Sequence, residues 1–314
     1  GPQAVATPGS LLAWCHALKR YGTMALADVM QPAIRHARRG FTVTPYLSDC
    51  IESAAADLAR DKLASARLLP GGSPLKAGTR LVQADYAEAL ELIARDGEGA
   101  LHGGPLGALL EEHMRKTGGL VSQADLTGYQ VKEREPIRAR YRGWEIVGPP
   151  PPAASGVHIA QMLNILEAYD IGAMGFGTVD TLHLLAEVLK IAFADRAAAS
   201  GDPDHVDVPV ETLTSRAYAD RRRALIDTKK AQAWTTGLPV GREGADTTHL
   251  TVADGRGTVV CTTQTINSLF GARFIVPGLG MIPNDYMSNF DPRPGRALSI
   301  APGKRVTTSM SPMM

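Results

Sequence analysis

Thr247 is the residue of this sequence whose type and position indicate the most specific chemistry. It opens an alternating run, residues 247–253, directly after a stretch without apolar periodicity, residues 228–246, that contains three glycines and one proline. If the bond between Asp246 and Thr247 is cut, Thr247 gains a free α-amine, which can act as the base for its own hydroxyl. On spacing alone, an ordinary threonine-rich strand explains the same residues more simply.

The alternating run is one arm of a predicted β-hairpin. Residues 247–254 and 258–265 are rich in β-branched side chains and flank glycines at positions 255 and 257, which is typical of two paired strands. A loop of three residues would place Gly257 in a left-handed conformation and Thr247 opposite Thr265. A loop of two residues would place Thr247 opposite Gln264 instead, and both registers remain open.

Apolar periodicity predicts that the chain before Thr247 is mainly helical. The predicted helices are two within residues 10–40 and one each over residues 45–59, 86–95, 106–116, 157–169, 179–199 and 215–226. A strand pair is predicted within residues 136–147, followed by a stiff turn over the prolines of residues 149–152. The region after Thr247 is predicted to be mainly strand.

The composition excludes several classes of partner. A formal net charge of +1 argues against a nucleic-acid partner. No apolar run reaches the ~18 residues that a membrane span requires. The three cysteines make no disulfide framework, and we expect Cys15 and Cys261 to be buried.

A group of acids around Pro203 has the spacing of metal ligands, but it lacks the glycine and the terminal glutamate of a calcium loop. A turn at Pro203 explains these residues better, so the sequence predicts no metal site there. The threonine chemistry described above needs neither a metal nor an organic cofactor. The group consists of Asp202, Asp204, His205 and Asp207.

Short motifs along essentially the whole chain resemble those of the γ-glutamyltranspeptidase family, in the same order. They are Tyr21-Gly22-Thr23-Met24, residues 149–158, Gly201-Asp202-Pro203-Asp204, Thr247-Thr248-His249, Thr265-Ile266-Asn267, Phe270-Gly271, Gly280-Met281 and Ser309-Met310-Ser311-Pro312. The resemblance implies an α+β fold, the αββα sandwich of the N-terminal nucleophile hydrolases. It also implies a proenzyme that cuts itself between Asp246 and Thr247, and a periplasmic or secreted location.

The same resemblance implies two subunits from one precursor. Residues 1–246 would be the mainly helical portion of the large subunit, and residues 247–314 the start of the strand-rich, catalytic small subunit. Because the small subunit of the family runs well beyond 68 residues, we expect the chain to be an incomplete fragment. The family's carboxylate-clamping arginine is expected before residue 1, and its glycine pair for the oxyanion hole after residue 314.

The resemblance also implies roles for five site residues. Thr247 would be the nucleophile and Thr265 would orient its hydroxyl. Asn267 matches a position that helps to hold the amino-acid head of the substrate, although an asparagine that makes a turn at a strand end is the alternative. Thr308 and Ser309 match the hydroxyl pair that binds the substrate α-carboxylate, and a simple polar turn is their alternative.

Two departures from the family pattern bear on the substrate. Asn289 stands where an aspartate would pair with the substrate α-ammonium, and Tyr286 stands where an amide or an acid assists it. Residues 290–304 are also shorter than in members that carry a lid loop. We therefore expect a small-molecule γ-glutamyl or, by these departures, glutaryl-type amide as substrate, as for the cephalosporin acylases of the same family.

The sequence thus predicts a threonine amidohydrolase or acyltransferase, of the γ-glutamyltransferase, glutathione hydrolase or glutaryl acylase kind. It would carry an acyl group on Thr247 and pass it to water or an amine. The alternative is a non-catalytic homologue, or an inert fragment with a binding or structural role.

Overall fold

The computed structural model describes residues 1–234 and 247–314, which form two compact units. The first unit contains Gly1–Glu133 and Thr265–Met287, and the second contains residues 134–234, Thr247–Gln264 and Ser288–Met314. Each unit therefore uses chain from before and after Thr247. The division into subunits at residue 246 concerns cleavage rather than compactness, and it stays a prediction.

The first unit is helical, as its apolar periodicity predicts, with one short antiparallel pair, β1 (Phe41–Thr42) and β2 (Arg80–Leu81). Its α-helices are α1 (Ser10–Tyr21), α2 (Leu26–Arg39), α3 (Pro45–Leu58), α4 (Lys62–Leu68), α5 (Ala84–Asp96), α6 (Pro105–Thr117) and α7 (Gln123–Gly128). Helix α4 is absent from the sequence prediction, because its seven residues are too few to show a period.

Side-chain caps fix where several of these helices begin. The Thr44 hydroxyl accepts a hydrogen bond from the backbone N–H of Leu47 at the start of α3. Ser122 and Asp125 form a reciprocal capping box at α7. Each cap satisfies backbone donors that a helix leaves unpaired in its first turn.

An extended segment from after Thr247 fills the core of the first unit. Phe274 and Val276 are buried in one apolar cluster, with side chains of α5, α6 and α7, whereas Ile275 is buried in another with side chains of α3 and α4. Successive side chains of extended backbone point in opposite directions. The segment thus contributes to two clusters at once.

Gly280 shows why a glycine of the Gly280-Met281 motif is structural. Its φ is +66°, and a Cβ atom there would lie 2.5 Å from the backbone nitrogen of Tyr86. Arg67 donates to the Gly280 carbonyl at 3.0 Å and to both carboxylate oxygens of Asp85, at 2.6 and 2.7 Å. A larger residue would therefore displace the chain from this contact with α4 and α5.

The second unit combines five helices of the described chain with two β-hairpins. The elements are β3 (Ile137–Tyr141), β4 (Trp144–Gly148), α8 (Ser155–Leu166), α9 (Ile171–Met174), α10 (Val179–Ala199), α11 (Val210–Thr214), α12 (Arg216–Arg223), β5 (Thr248–Ala253) and β6 (Val259–Gln264). Its core joins side chains of α8, α10 and α12, with Ile165, Ile191 and Ala219 fully buried.

The β5–β6 hairpin has the register of the three-residue loop. Thr251 pairs with Cys261 and Ala253 with Val259, and the N–H of Asp254 donates to the Thr258 carbonyl at 3.0 Å. Gly257 has a φ of +86°, the left-handed conformation that this loop demands. The last strand pair joins Thr248 and Gln264.

Strand content after Thr247 is concentrated in this hairpin. Among the described residues 265–314, Thr308 forms an isolated bridge with Ala153, Asp291 forms one with Ser299, and Met314 exchanges two backbone hydrogen bonds with Val147 of β4. Cys15 is buried, but Cys261 is half-buried, so the prediction of burial is wrong for Cys261. The reason is that β6 forms part of a two-stranded sheet with substantial solvent exposure.

No helix of the described chain has the length and apolarity to cross a membrane.

Candidate active site

Thr247 lies exposed at the entrance to β5, and strand alternation defines its surroundings. His249 and Thr251 follow it on the same face of the strand, and Thr263 stands opposite His249. One ring nitrogen of His249 lies 2.7 Å from the Thr263 hydroxyl and the other lies 3.0 Å from that of Thr251. His249, the histidine nearest in sequence to Thr247, therefore uses both ring nitrogens for hydrogen bonds within the hairpin.

Thr308 and its neighbours are fixed to the N-terminal end of α8. Ala154 N–H donates to the Thr308 carbonyl at 3.0 Å, and the Ser155 hydroxyl donates to the Met310 carbonyl at 2.7 Å. The Thr308 hydroxyl accepts from the Met310 N–H at 3.3 Å. This segment is thus held at the positive end of a helix dipole, where negative charge is stabilised.

Ser309, the second member of the predicted hydroxyl pair, is exposed and bonded to an arginine. Arg196 Nη1, from the last turn of α10, donates to Ser309 Oγ at 2.6 Å. No motif or spacing in the sequence singles out Arg196, and 113 residues separate it from Ser309.

Asn267 lies in the first unit, buried, with a φ of +80°. Its backbone N–H donates to the Thr265 hydroxyl at 2.9 Å, and its side-chain Nδ2 donates to Asp285 Oδ1 at 3.1 Å. Asp285 Oδ1 also accepts the backbone N–H of Ser268 at 3.0 Å. Asp285 is thus a neighbour of Asn267 that no motif of the sequence singles out.

Tyr286 and Asn289 are the end residues of a short 3₁₀ turn, Tyr286–Asn289. The Tyr286 N–H donates to Asn284 Oδ1 at 3.0 Å, and Asn284 in turn exchanges two side-chain hydrogen bonds with the backbone of Ala6. Tyr286 and Asn289 are both half-buried. The backbone at Tyr286 is therefore positioned by an asparagine that is itself anchored within the first unit.

Asp202, whose spacing from neighbouring acids resembles that of metal ligands, instead stabilises a turn by hydrogen bonding. Its buried carboxylate accepts the backbone N–H of Arg305 at 2.8 Å and that of Asp204 at 3.2 Å. Its carbonyl accepts the N–H of His205 at 2.9 Å, which closes the turn around Pro203. Within residues 1–234 and 247–314, no group of three or more acidic, histidine or cysteine side chains is arranged to hold a metal ion.

The histidine of the proline-rich motif is part of a buried polar network. His158 hydrogen-bonds Gln161 at 3.0 Å and Ser200 at 2.9 Å through its two ring nitrogens. Burial lowers the pKa of His158, and the nearby charge of Arg196 lowers it further. This side chain is therefore neutral at pH 7, and both of its ring nitrogens are used within the buried network.

The predicted site residues are divided between the two units. Thr265, Asn267 and Tyr286 belong to the first unit, whereas Thr247, Asn289, Thr308 and Ser309 belong to the second. Asp246, the other side of the predicted cleavage point, lies outside the described residues.

Solved structures define the class of protein. The cephalosporin acylase of Bacillus halodurans matches with a TM-score of 0.89 at 29% identity, over 100% of this chain and 58% of its own. The γ-glutamyltranspeptidase of Helicobacter pylori matches with a TM-score of 0.73 at 31% identity, over 78% of this chain and 72% of its own. These neighbours confirm the predicted α+β fold of the N-terminal nucleophile hydrolases.

The family model for gamma-glutamyltranspeptidase matches residues 1–314, so this chain belongs to that family. It is 65% identical to the acylase ACY 1 proenzyme of Pseudomonas sp. (strain V22), over 100% of this chain and 56% of the relative. It is 38% identical to the glutathione hydrolase proenzyme of Escherichia coli (strain K12), over 98% of this chain and 56% of the relative. The chain thus spans just over half the length of these curated relatives.

Proposed function

We propose that the full-length protein is a self-processing threonine amidohydrolase that forms an acyl-enzyme on Thr247. The observation that carries the proposal is the position of Thr247 at the entrance to β5, on the face where both nitrogens of His249 are occupied by hydroxyls. A histidine so engaged is a poor general base, which leaves the α-amine of a newly exposed Thr247 as the base. The proenzyme names of the two curated relatives support a cut that exposes this amine.

The proposed chemistry has two stages. In processing, the Thr247 hydroxyl attacks the Asp246 carbonyl, the peptide bond becomes an ester, and water hydrolyses the ester. In turnover, the α-amine takes the hydroxyl proton as Oγ1 attacks the substrate amide, and the departing amine receives a proton. Water or a second amine then takes the acyl group from Thr247.

For the acyl group, we propose a glutaryl-type amide over a γ-glutamyl one. The support is Asn289, which offers no negative charge to a substrate ammonium, and the identity of 65% to a protein named an acylase. Thr308 and Ser309 would receive the carboxylate that both acyl groups share, and Asn267 and Tyr286 would help to hold the acyl group.

Intact mass of the full-length protein tests the nucleophile. We expect a cut before Thr247 in the wild type, one uncut and inactive chain for Thr247→Ala, and retained cutting for Thr247→Ser. The matched control is Thr248→Ala, because Thr248 is the next residue, is also exposed, and points to the opposite face of β5. Normal processing of Thr247→Ala would refute the assignment.

Thr265 is proposed to orient the Thr247 hydroxyl. Thr265→Ala should slow processing without unfolding the protein, since it removes a single hydroxyl. Thr262→Ala is the control, because Thr262 lies within β6 and pairs with Leu250, away from the polar face. Equal processing rates for the two variants would remove Thr265 from the mechanism.

A further inference from the structure

The contact between Arg196 and Ser309 joins a permanent positive charge to a hydroxyl of the proposed site. Arg196 Nη1 donates to Ser309 Oγ at 2.6 Å, a short distance for a charge-assisted hydrogen bond. A guanidinium stays protonated at every accessible pH and presents several donors in a planar fork that matches a carboxylate. The contact therefore places a carboxylate-recognising group beside Ser309.

The Ser309 side of this contact is held independently of Arg196. The preceding residue, Thr308, pairs with Ala153 and accepts the N–H of Ala154, and the following residue, Met310, accepts the Ser155 hydroxyl. Hydrogen bonds to the carbonyls on both sides of Ser309, one from a backbone N–H and one from the Ser155 hydroxyl, thus fix it against the start of α8. The guanidinium adds a third constraint, on the side chain.

The Arg196 side is equally well defined, because the adjacent Asp195 anchors the last turns of α10. Asp195 accepts Gln161 Nε2 at 2.5 Å, the Tyr218 hydroxyl at 2.9 Å and Arg222 Nη2 at 2.9 Å. These partners come from α8 and α12, so the end of α10 is tied to two other helices. Arg196 is consequently carried on a rigid support rather than on a mobile loop.

We infer that Arg196 is a specificity-determining residue, which makes the Thr308–Ser309 end of the site select acyl groups that carry a terminal carboxylate. The inference rests on the proposed function and extends it. A hydroxyl that accepts a hydrogen bond from a cation becomes a stronger donor itself, because hydrogen bonds in a chain polarise one another. The charge of Arg196 and the positive end of α8 both favour an anion at this place.

The test uses the full-length, processed protein and two anilides that differ in one group. Glutaryl p-nitroanilide carries the terminal carboxylate, and butyryl p-nitroanilide has the same acyl length without it. Arg196→Gln should lower kcat/KM for the glutaryl substrate about 10- to 100-fold, mainly through KM, and change the butyryl value less than about threefold. Arg196→Lys, which keeps the charge but not the fork, should give an intermediate ratio.

Two controls separate selection from structural support. Arg115→Gln removes one positive charge from an exposed position of the first unit, and it should leave the ratio of the two substrates unchanged. Ser309→Ala combined with Arg196→Gln should lose less than the sum of the two single effects, because the arginine acts in part through the hydroxyl.

The possible outcomes are distinct. An Arg196→Gln variant with an unchanged glutaryl-to-butyryl ratio, or with equal losses on both substrates, overturns the inference and leaves the proposed function intact. If Arg196→Gln does not fold, the other two variants decide. A wild-type glutaryl-to-butyryl ratio in both Arg196→Lys and Ser309→Ala also overturns the inference and leaves the proposed function intact. A wild-type protein that hydrolyses neither anilide overturns the proposed function and the inference together.

Discussion

Replacing the buried Glu187 should weaken the second unit by a predictable amount. Its carboxylate is fully buried and accepts Trp234 Nε1 at 2.8 Å, Gln232 N–H at 3.3 Å and Lys190 Nζ at 2.6 Å. Glu187→Gln leaves one acceptor oxygen, so one charge-assisted bond is lost, at about 1.5–3 kcal/mol. The Lys190 side chain is 41% exposed, and its ion pair adds about 0–1 kcal/mol. We therefore expect a loss of about 1.5–4 kcal/mol.

Urea unfolding followed by Trp234 fluorescence measures this loss locally. The other two tryptophans, Trp14 and Trp144, are 52% and 75% exposed and can be replaced by phenylalanine. With a slope near 2 kcal/mol per molar urea, the midpoint of Glu187→Gln should fall by about 1–2 M. Glu211→Gln is the control, because Glu211 is exposed in the first turn of α11. A midpoint within about 0.3 M of the wild type would refute the reasoning.

The pH dependence gives an independent check on the same residue. Burial alone would raise the pKa of the Glu187 carboxyl, but the donors of Lys190, Trp234 and Gln232 together hold it below the ordinary 4.5. A group whose pKa is lowered by folding stabilises the folded state above its unfolded pKa, and this stabilisation disappears as pH falls through the folded value. The difference between wild type and Glu187→Gln should therefore narrow below pH 4.5 and be constant above about pH 6.

Three further predictions concern single side chains. Asn289→Asp should move the kcat/KM ratio of the full-length enzyme toward γ-glutamyl over glutaryl amides by about 1–3 kcal/mol, since a charge would then meet the substrate ammonium; an unmoved ratio contradicts it. Burial, followed by the bond to Asp195, raises the pKa of Tyr218 to about 12. The stabilisation that the protonated phenol contributes is therefore complete below pH 10 and is lost as pH rises through 12. Tyr218→Phe should flatten this decline of the unfolding free energy in urea titrations at pH 8–12, and an equal decline in wild type and variant would refute the prediction. Thr307 is buried, and its Oγ1 has no partner among the described residues. Thr307→Val should therefore leave the free energy of unfolding unchanged or raise it by about 1 kcal/mol in thermal unfolding. A decrease of more than about 1 kcal/mol would show that the hydroxyl is hydrogen-bonded.

Local features of the fold could be predicted from the sequence because they depend on neighbouring residues. The β5–β6 hairpin follows from alternation around glycines and the helices follow from apolar periodicity, whereas the choice between the two hairpin registers required the structure. Helix α4 was missed because two turns give too short a period, and its N-cap at Asp61 was the only local signal. Cys261 was misjudged because position in a strand does not reveal what covers the strand.

The candidate site was predictable only where a motif carries it. Thr247, Asn267 and Ser309 were found by matching short motifs, and their roles remain predictions. Arg196 could not be found, because its contact with Ser309 joins positions 113 residues apart and no motif includes Arg196. Asp285 could not be found either, because its bond to Asn267 depends on the backbone turn at residue 267, where φ is +80°.

The way each compact unit combines distant stretches of chain sets an order of events for a protein that cuts itself at residue 247. The apolar cluster around α6 requires Phe274 and Val276, and the second unit likewise includes β5, β6 and Ser288–Met314. A nascent chain that stopped before residue 247 would have incomplete interiors in both units. If the full-length protein cuts itself before Thr247, as proposed, we expect folding to precede cutting and the two products to stay associated, so that they migrate as one species on a native gel and as two after denaturation. Pieces synthesised separately would each expose core side chains to water and would become stable only by folding together.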